Sequence, residues 1–393
     1  MSIFDPPVYL DYAASTPLHH RALEEMLPFL SSGYGNPSST HQFGRCARAA
    51  IDDARDSVAQ LLHADASEIC FTSGGTEADN LAVFGSVLSA DPSRRRVVVS
   101  AIEHHAVLHA ANRLSDMGFE VQYAPVTRSG NVDLDAISAL IDEQTVLVSV
   151  MLANNETGVV LPVKKIARIA KAAGSLMHTD AVQAAGLINI DPKDLGVDML
   201  SISAHKFYGP KGVGALWVRR GVKLTPLLYG GAQERERRAG TEDVAAIVGM
   251  GAASRLALAE RNQWRDTVNQ ARQAFQDEFD TLAGISLHGE TEKRLPNILN
   301  YGLSGVSAEL LTMRLDALGI AISTGAACAS GSLEPSHVLT AMGFDKDEVN
   351  SSIRISFGRD SGTDVAGQAA KLIAKTILHL RHLRQMPQLH QIL

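Results

Sequence analysis

A lysine lies where an apolar run gives way to a glycine-rich turn. The stretch is Ser201-Ile-Ser-Ala-His-Lys-Phe-Tyr-Gly-Pro-Lys-Gly212, with Lys206 beside His205. Val197–Ile202 reads as a buried strand, and Gly209, Pro210 and Gly212 force a turn. In open α/β sheets, ligands bind at the carboxyl ends of strands. An amine held there loses its proton more readily, because desolvation and neighbouring positive charge lower its pKa from roughly 10.4. It then becomes a nucleophile that forms Schiff bases with carbonyl compounds, pyridoxal phosphate among them. A surface lysine in a glycine-rich turn is the competing reading.

Four more polar groups follow strand-like runs. Thr72-Ser-Gly-Gly-Thr-Glu77 joins a strand to a helix. Its glycines let a ligand approach the backbone, and exposed N–H groups with the helix dipole favour a phosphate; an ordinary helix start capped by Thr76 would look the same. His104 and His105 follow the strand Arg96–Ser100 without the spacing of a zinc motif, and either could be structural. Asn155 follows the strand 145–152, and Asp180 follows its neighbour with Gln183 about one helical turn further on. Thr76, His104, Asn155, Asp180 and Lys206 thus gather at the carboxyl ends of predicted parallel strands. Together they offer a phosphate cradle, a ring to stack, a carboxylate for a pyridinium nitrogen and an amine, the set that a bound pyridoxal phosphate needs. Gly249-Met-Gly-Ala-Ala-Ser254 is no dinucleotide fingerprint, since the third glycine and the preceding strand are missing.

The frame for these residues is an alternation of strands and helices. Strands are predicted at 68–72, 96–100, 119–124, 145–152, 175–179, 198–203 and 214–218, after a short one at 8–12. Amphipathic segments such as Val163–Ala173 lie between them, so the sheet is expected to be mainly parallel and covered by helices. From about Asp243 to Ala283 a long helical region is apolar early and polar late, which suits a helix leaving one domain for another. With 393 residues the chain exceeds one ordinary core. The expectation is an α/β fold with a large domain over 15–262 and a small α+β domain built from 1–14 and 263–393.

Composition narrows the function classes. Hydrophobic residues make up 45%, a globular share, and the net charge of −7 with no long basic run argues against nucleic acid. No apolar run reaches the roughly 18 residues that span a bilayer, and no signal-peptide pattern opens the chain. A cytoplasmic enzyme away from membranes is expected. Three widely spaced cysteines, Cys46, Cys70 and Cys328, give neither a disulfide framework nor a structural metal site. Cys328 alone sits in a run of small residues, Ser323-Thr-Gly-Ala-Ala-Cys-Ala-Ser-Gly-Ser332, which predicts a mobile loop.

These residues carry a family resemblance. The chain resembles the cysteine desulfurases of the NifS/IscS type, within the class V aminotransferase superfamily of fold-type I pyridoxal phosphate enzymes. The matching runs include Tyr9-Leu-Asp-Tyr12, Gly35-Asn-Pro-Ser38, Thr72–Asn80, Glu103-His104, Asn154-Asn-Glu156, Asp180-Ala-Val-Gln183 and Ser203-Ala-His-Lys206. Arg238-Ala-Gly-Thr241, Ser323–Leu339 and Ser351-Ser-Ile-Arg354 continue them in family order to near the end of the chain.

The resemblance implies that Lys206 binds pyridoxal phosphate covalently, that Asp180 meets its pyridine nitrogen and that Gln183 meets its phenolic oxygen. His104 would stack on the ring, and Gly75, Thr76, Ser203 and His205 would hold the phosphate. Thr241 would reach the cofactor of a partner subunit, which implies a homodimer. Asn155, also beside the cofactor, and Arg354 would bind the substrate carboxylate. Arg354 alternates with Ile353, Ile355 and Phe357 along a strand, so it faces the opposite side. The implied activity converts L-cysteine to L-alanine and leaves a persulfide on Cys328 for an iron–sulfur scaffold or another acceptor, with His104 as a candidate base. No resident metal is implied, though Cys328 could transiently ligate a nascent cluster. Selenocysteine lyase and a non-catalytic docking protein on the same fold are the alternatives. The short end of the chain, Pro387–Leu393, matches no docking tail.

Overall fold

The computed structural model describes residues 4, 6–289, 293–325 and 335–385. Cys328 lies outside the described residues. The elements run β1 (Val8–Tyr9), α1 (His20–Leu30), α2 (Gln42–Leu61), β2 (Ile69–Thr72), α3 (Gly75–Leu88), β3 (Arg96–Ser100), α4 (His105–Asp116), β4 (Glu120–Ala124), α5 (Leu134–Leu140), β5 (Thr145–Ser149), α6 (Val163–Ala172), β6 (Leu176–Asp180), α7 (Pro192–Leu195), β7 (Met199–Ser203) and β8 (Gly214–Val218). Then come α8 (Val244–Phe279), β9 (Ile285–Leu287), β10 (Ile298–Leu303), α9 (Ala308–Ala317), β11 (Ile320–Ala321), β12 (Ser323–Thr324), α10 (His337–Ala341), α11 (Lys346–Asn350), β13 (Ser352–Ser356) and α12 (Thr363–Gln385).

The seven strands β2 to β8 form one sheet in the order β2-β8-β7-β6-β5-β3-β4. All neighbours pair in parallel except those of β8, which runs antiparallel to both β2 and β7. Because β8 is the single reversed strand, β2 still ends on the same edge as β3, β5, β6 and β7. Val97, Val99, Leu147 and Leu216 face a core completed by Leu81, Val107 and Leu114 of α3 and α4. Val98, Val148, Leu200 and Ile202 face the other, completed by Ile51, Ile166 and Met250. A sheet buried on both faces needs apolar side chains at nearly every position, which is why these strands read as continuous runs rather than alternating ones.

The second sheet is antiparallel, in the order β12-β13-β10-β9. Its core gathers Leu299, Tyr301, Ile353 and Ile355 with Phe275, Phe279, Ile373 and Ile377. Helix α8 serves both cores: Trp264 packs in the first and Val268 in the second. Leu10 joins the second core and Tyr12 the first, so the opening segment also crosses between them.

Two expectations change. The strand at 8–12 shortens to Val8–Tyr9, because Asp11 leaves β11 for a single bridge to Ser356 and the chain then turns. Helix α3 starts two residues earlier than a Thr76 cap requires, with Gly74 at φ 153° as its N-cap. No described helix is long and apolar enough to cross a membrane.

Candidate functional site

A cavity of about 360 Å3 opens at the shared strand edge. Gly75, Thr76, His104, Asn155, Asp180, Gln183, Ser203, His205, Lys206 and Arg354 all line it. The ten come from six separate segments, each held by its own local bonds. Thr241 is exposed and does not belong to this lining. An open groove on the second sheet is larger, about 960 Å3, but its lining holds neither a lysine nor a histidine.

Lys206 ends a short 3-10 turn that follows β7. Its Nζ donates to the carbonyls of Ala13 at 2.5 Å and Ala14 at 2.9 Å, and Gln183 Nε2 donates to the same Ala13 oxygen at 3.0 Å. The opening segment is fixed in turn by Thr16, whose N–H and hydroxyl both donate to the His205 carbonyl at 2.9 Å. Amine and turn therefore hold each other in place.

Asp180 closes β6 at 6% exposure, and one of its oxygens accepts the Val182 N–H at 2.8 Å. Burial raises its carboxyl above the usual range, while that hydrogen bond and the Lys206 ammonium pull it back. His104 caps α4, its Nδ1 accepting the Ala106 N–H at 3.1 Å. Burial, then the Lys206 charge, push this imidazole down to about 4, so it is neutral at pH 7. With Nδ1 committed as an acceptor, the proton sits on Nε2. His205 is likewise pushed down to about 4, first by burial.

Residues that do not touch the cavity space hold those that do. Glu103 is fully buried, accepts the Met151 N–H at 2.8 Å and the Ser100 hydroxyl, and is pushed up to about 8 by burial. Its carbonyl meets His337 Nε2 at 2.9 Å, and His337 Nδ1 meets His105 Nε2 at 3.2 Å. Asn154 shapes the next turn: its Oδ1 accepts the N–H groups of Glu156 and Thr157 at 2.9 Å. Arg354, on β13, donates from Nη1 to the Asn155 carbonyl and from Nη2 to Asp11, each at 2.8 Å.

The phosphate end is shaped by close backbone approach. A Cβ on Gly75 would stand 2.8 Å from Val182 Cγ2. One on Gly214 would stand 2.6 Å from the Gly74 carbonyl carbon, so β8 can pass only as glycine. Glu77 draws the turn together by accepting the Ser73 N–H at 2.8 Å and Arg238 Nε at 2.9 Å. Such a cradle at a helix N-terminus, an amine and a buried acid within one cavity of cofactor size fit pyridoxal phosphate.

Asp79 also lines the cavity, and nothing in the sequence reading marked it. Its position three residues after Thr76, on one helical face, was the available signal. His337 was visible only as part of the Ser323–Leu339 run. Asp11 lay within a matching run without a role.

The aminotransferase class-V family model matches residues 8–364. The cysteine desulfurase IscS of Dictyoglomus turgidum is 46% identical over 352 residues, 89% of each chain. Among solved structures, a NifS-like protein superposes with a TM-score of 0.89 at 37% identity, covering 95% of this chain and all of its own. SspA in complex with cysteine gives 0.79 at 34% identity, covering 89% and 98%. With these matches spanning nearly its whole length, the chain belongs to the aminotransferase class-V family, beside relatives named cysteine desulfurases.

Proposed function

We propose that the protein is a pyridoxal phosphate-dependent cysteine desulfurase that converts L-cysteine to L-alanine and keeps the sulfur as a persulfide on Cys328. The observation that carries this reading is the convergence of Lys206, Asp180, Gln183, His104 and Arg354 on one cavity. When bound, pyridoxal phosphate supplies an electron sink for bonds at the substrate carbon next to the amine.

The chain's own residues then divide the work. Gly75, Thr76, Ser203 and His205 hold the phosphate, and Asp180 meets the pyridine nitrogen at the opposite end. Gln183 and His104 fix the ring between them. Arg354 and Asn155 orient the substrate carboxylate. Lys206 exchanges protons at Nζ, with the Ala13 and Ala14 carbonyls as its resting partners. His104, neutral with its proton on Nε2, donates a hydrogen bond from that atom, and it can act as a base only if Nδ1 gives up the Ala106 N–H. Cys328 forms its bond to the substrate sulfur as the carbon–sulfur bond breaks. L-cysteine plus the thiol gives L-alanine plus a persulfide, so no external oxidant enters. The persulfide is then passed to an iron–sulfur scaffold or another acceptor.

The working unit is a homodimer in the cytoplasm, with Thr241 reaching the partner's cofactor phosphate. Exposed Thr241 and the exposed, stacked pair Tyr34 and Phe43 support that reading. The test loads the protein with pyridoxal phosphate and adds L-cysteine. Alanine should appear and mass spectrometry should find one added sulfur on Cys328. C328A should keep the cofactor's visible band and make neither product at speed; undiminished desulfuration in C328A would sink the proposal.

A further inference from the structure

Asp79 lies on α3 one turn beyond Thr76 and lines the cavity at 1% exposure. Its Oδ1 has no hydrogen-bond partner among the described residues. The ring nitrogen His178 Nε2 stands 3.6 Å away, and burial pushes that imidazole down to about 3, so it brings no positive charge. Both His178 nitrogens are already engaged, Nδ1 with Ser149 Oγ at 2.8 Å and Nε2 with Ser201 Oγ at 3.0 Å.

Strand geometry places these groups on one side of the sheet. His178 and Asp180 are two residues apart on β6 and so share a face. Ser201 is the residue of β7 paired with Asp180. The groups facing Asp79 are therefore Asp180 and His178 from β6, Ser201 from β7 and Glu103 from the turn after β3, and none of them is a cation. Ser201 hydrogen-bonds the Asp79 carboxyl, but its Oδ1 stays unpartnered among the described residues and no cation faces it, so burial favours the form that keeps its proton. Burial and the nearby Asp180 charge push it in that direction, well above the carboxylate range. A carboxylic acid differs from a carboxylate in having a hydrogen to donate.

We propose that Asp79 is a positioning residue, a neutral carboxylic acid that shares its proton with Asp180 and weakens the grip of that carboxylate on a pyridinium nitrogen. This deepens the functional reading above and rests on Asp180 meeting the cofactor ring there. A hydrogen bond to the ionised form makes Asp180 a weaker base. The ring nitrogen then holds its proton less firmly, and the electron-withdrawing power of the cofactor is set by two carboxyls rather than one. Asparagine at 79 keeps a donor without the acid, whereas leucine, of similar size, keeps none.

The test uses the full chain loaded with pyridoxal phosphate as wild type, D79N and D79L. In wild-type-minus-D79N infrared difference spectra at neutral pH, a carboxylic-acid C=O stretch should remain after the one from buried Glu103, common to both, has cancelled. In pH titrations of the visible band, which lies at about 400–430 nm, D79N should stay close to wild type. D79L should shift the midpoint down by about one pH unit, because Asp180 then holds the ring proton more tightly and the imine becomes less basic. Equal carboxylic-acid absorption in wild type and D79N overturns the proposal. So does a D79L midpoint that stays or rises, or a D79N midpoint that falls as far as that of D79L. Should D79L fail to fold, D79A takes its place and the infrared arm still decides. A wild type with no visible band at all overturns the cofactor reading itself, a failure distinct from the others.

Discussion

Arg354 Nη2 and Asp11 Oδ1 lie 2.8 Å apart, with the arginine side chain 1% exposed and the acid 21%. The guanidinium proposed for the substrate carboxylate is thus already matched to an acid of the same chain. An incoming carboxylate competes with Asp11 for that Nη2. In D11N the competitor loses its charge while keeping its shape. The KM for L-cysteine should fall about fivefold, equivalent to about 1 kcal/mol, with kcat little changed. The melting temperature should drop modestly, because a buried cation loses a counter-charge. Steady-state kinetics decide it: an unchanged or higher KM would show that the substrate carboxylate binds elsewhere.

Gly75 and Gly214 look alike in sequence but differ in what surrounds them. A Cβ on Gly75 meets the end of the Val182 side chain, which can rotate away. One on Gly214 meets the Gly74 carbonyl carbon at 2.6 Å and the Ile202 oxygen at 2.7 Å, both backbone. G75A should therefore cost under about 1 kcal/mol and leave cofactor affinity within a few-fold, whereas G214A should cost about 3 kcal/mol by forcing two strands apart. Chemical denaturation and cofactor titration of the two variants test the contrast; equal losses would contradict it.

Glu103 gives a pH dependence of unusual sign. Its carboxyl is pushed up to about 8 by burial, against about 4.3 in an unfolded chain, so the folded form binds the extra proton between those values. Its contribution to stability is complete below the unfolded pKa and falls as pH rises towards 8. Glutamine at 103 can still accept from Ser100 and Met151 through its carbonyl and has no proton to hold. Relative to wild type, E103Q should become steadily more stable from pH 5 to pH 8, by up to about 1.4 kcal/mol per unit. Melting curves across that range check it; a difference independent of pH would mean that Glu103 is ionised in the folded protein.

The legibility of the chain follows from where each signal resides. Strands such as Val97–Ser100 and Leu147–Ser149 declare themselves because burial on both faces leaves only apolar residues to use. Lys206, Asp180 and Asn155 are legible because each polar residue follows such a run, where the sheet edge must be. The antiparallel course of β8 is not, since a glycine-bounded apolar strand looks the same in either direction. Asp79 is hidden because it stands among the polar residues Thr76, Glu77 and Asn80 of an ordinary helix start, and its partners are supplied by β6 and β7, far away in sequence. Gly74 took the cap from Thr76 because its φ of 153° is a conformation that threonine rarely adopts.

The bend at Glu234, Arg235 and Glu236 holds three successive non-glycine residues at φ 44°, 56° and 64°. Left-handed backbone costs such residues about 1–3 kcal/mol each, so something must over-determine the turn. Glu234 is that anchor. Its carboxylate pairs with Arg55 through contacts of 2.6 and 2.7 Å and also accepts the Phe71 N–H at 2.8 Å, all buried. The turn leads into Arg238, which grips Glu77 beside the phosphate cradle, and on to Thr241. Glu236 is exposed, so a change there relieves strain without touching the anchor. Glycine accepts the conformation but loses more entropy on folding, by about 0.5–1 kcal/mol. E236G should therefore gain about 1 kcal/mol net, whereas E234Q should lose about 3 kcal/mol by stranding the Arg55 cation. Denaturant titrations of both variants test the assignment, and a destabilised E236G would show that residue 236 carries no strain to release.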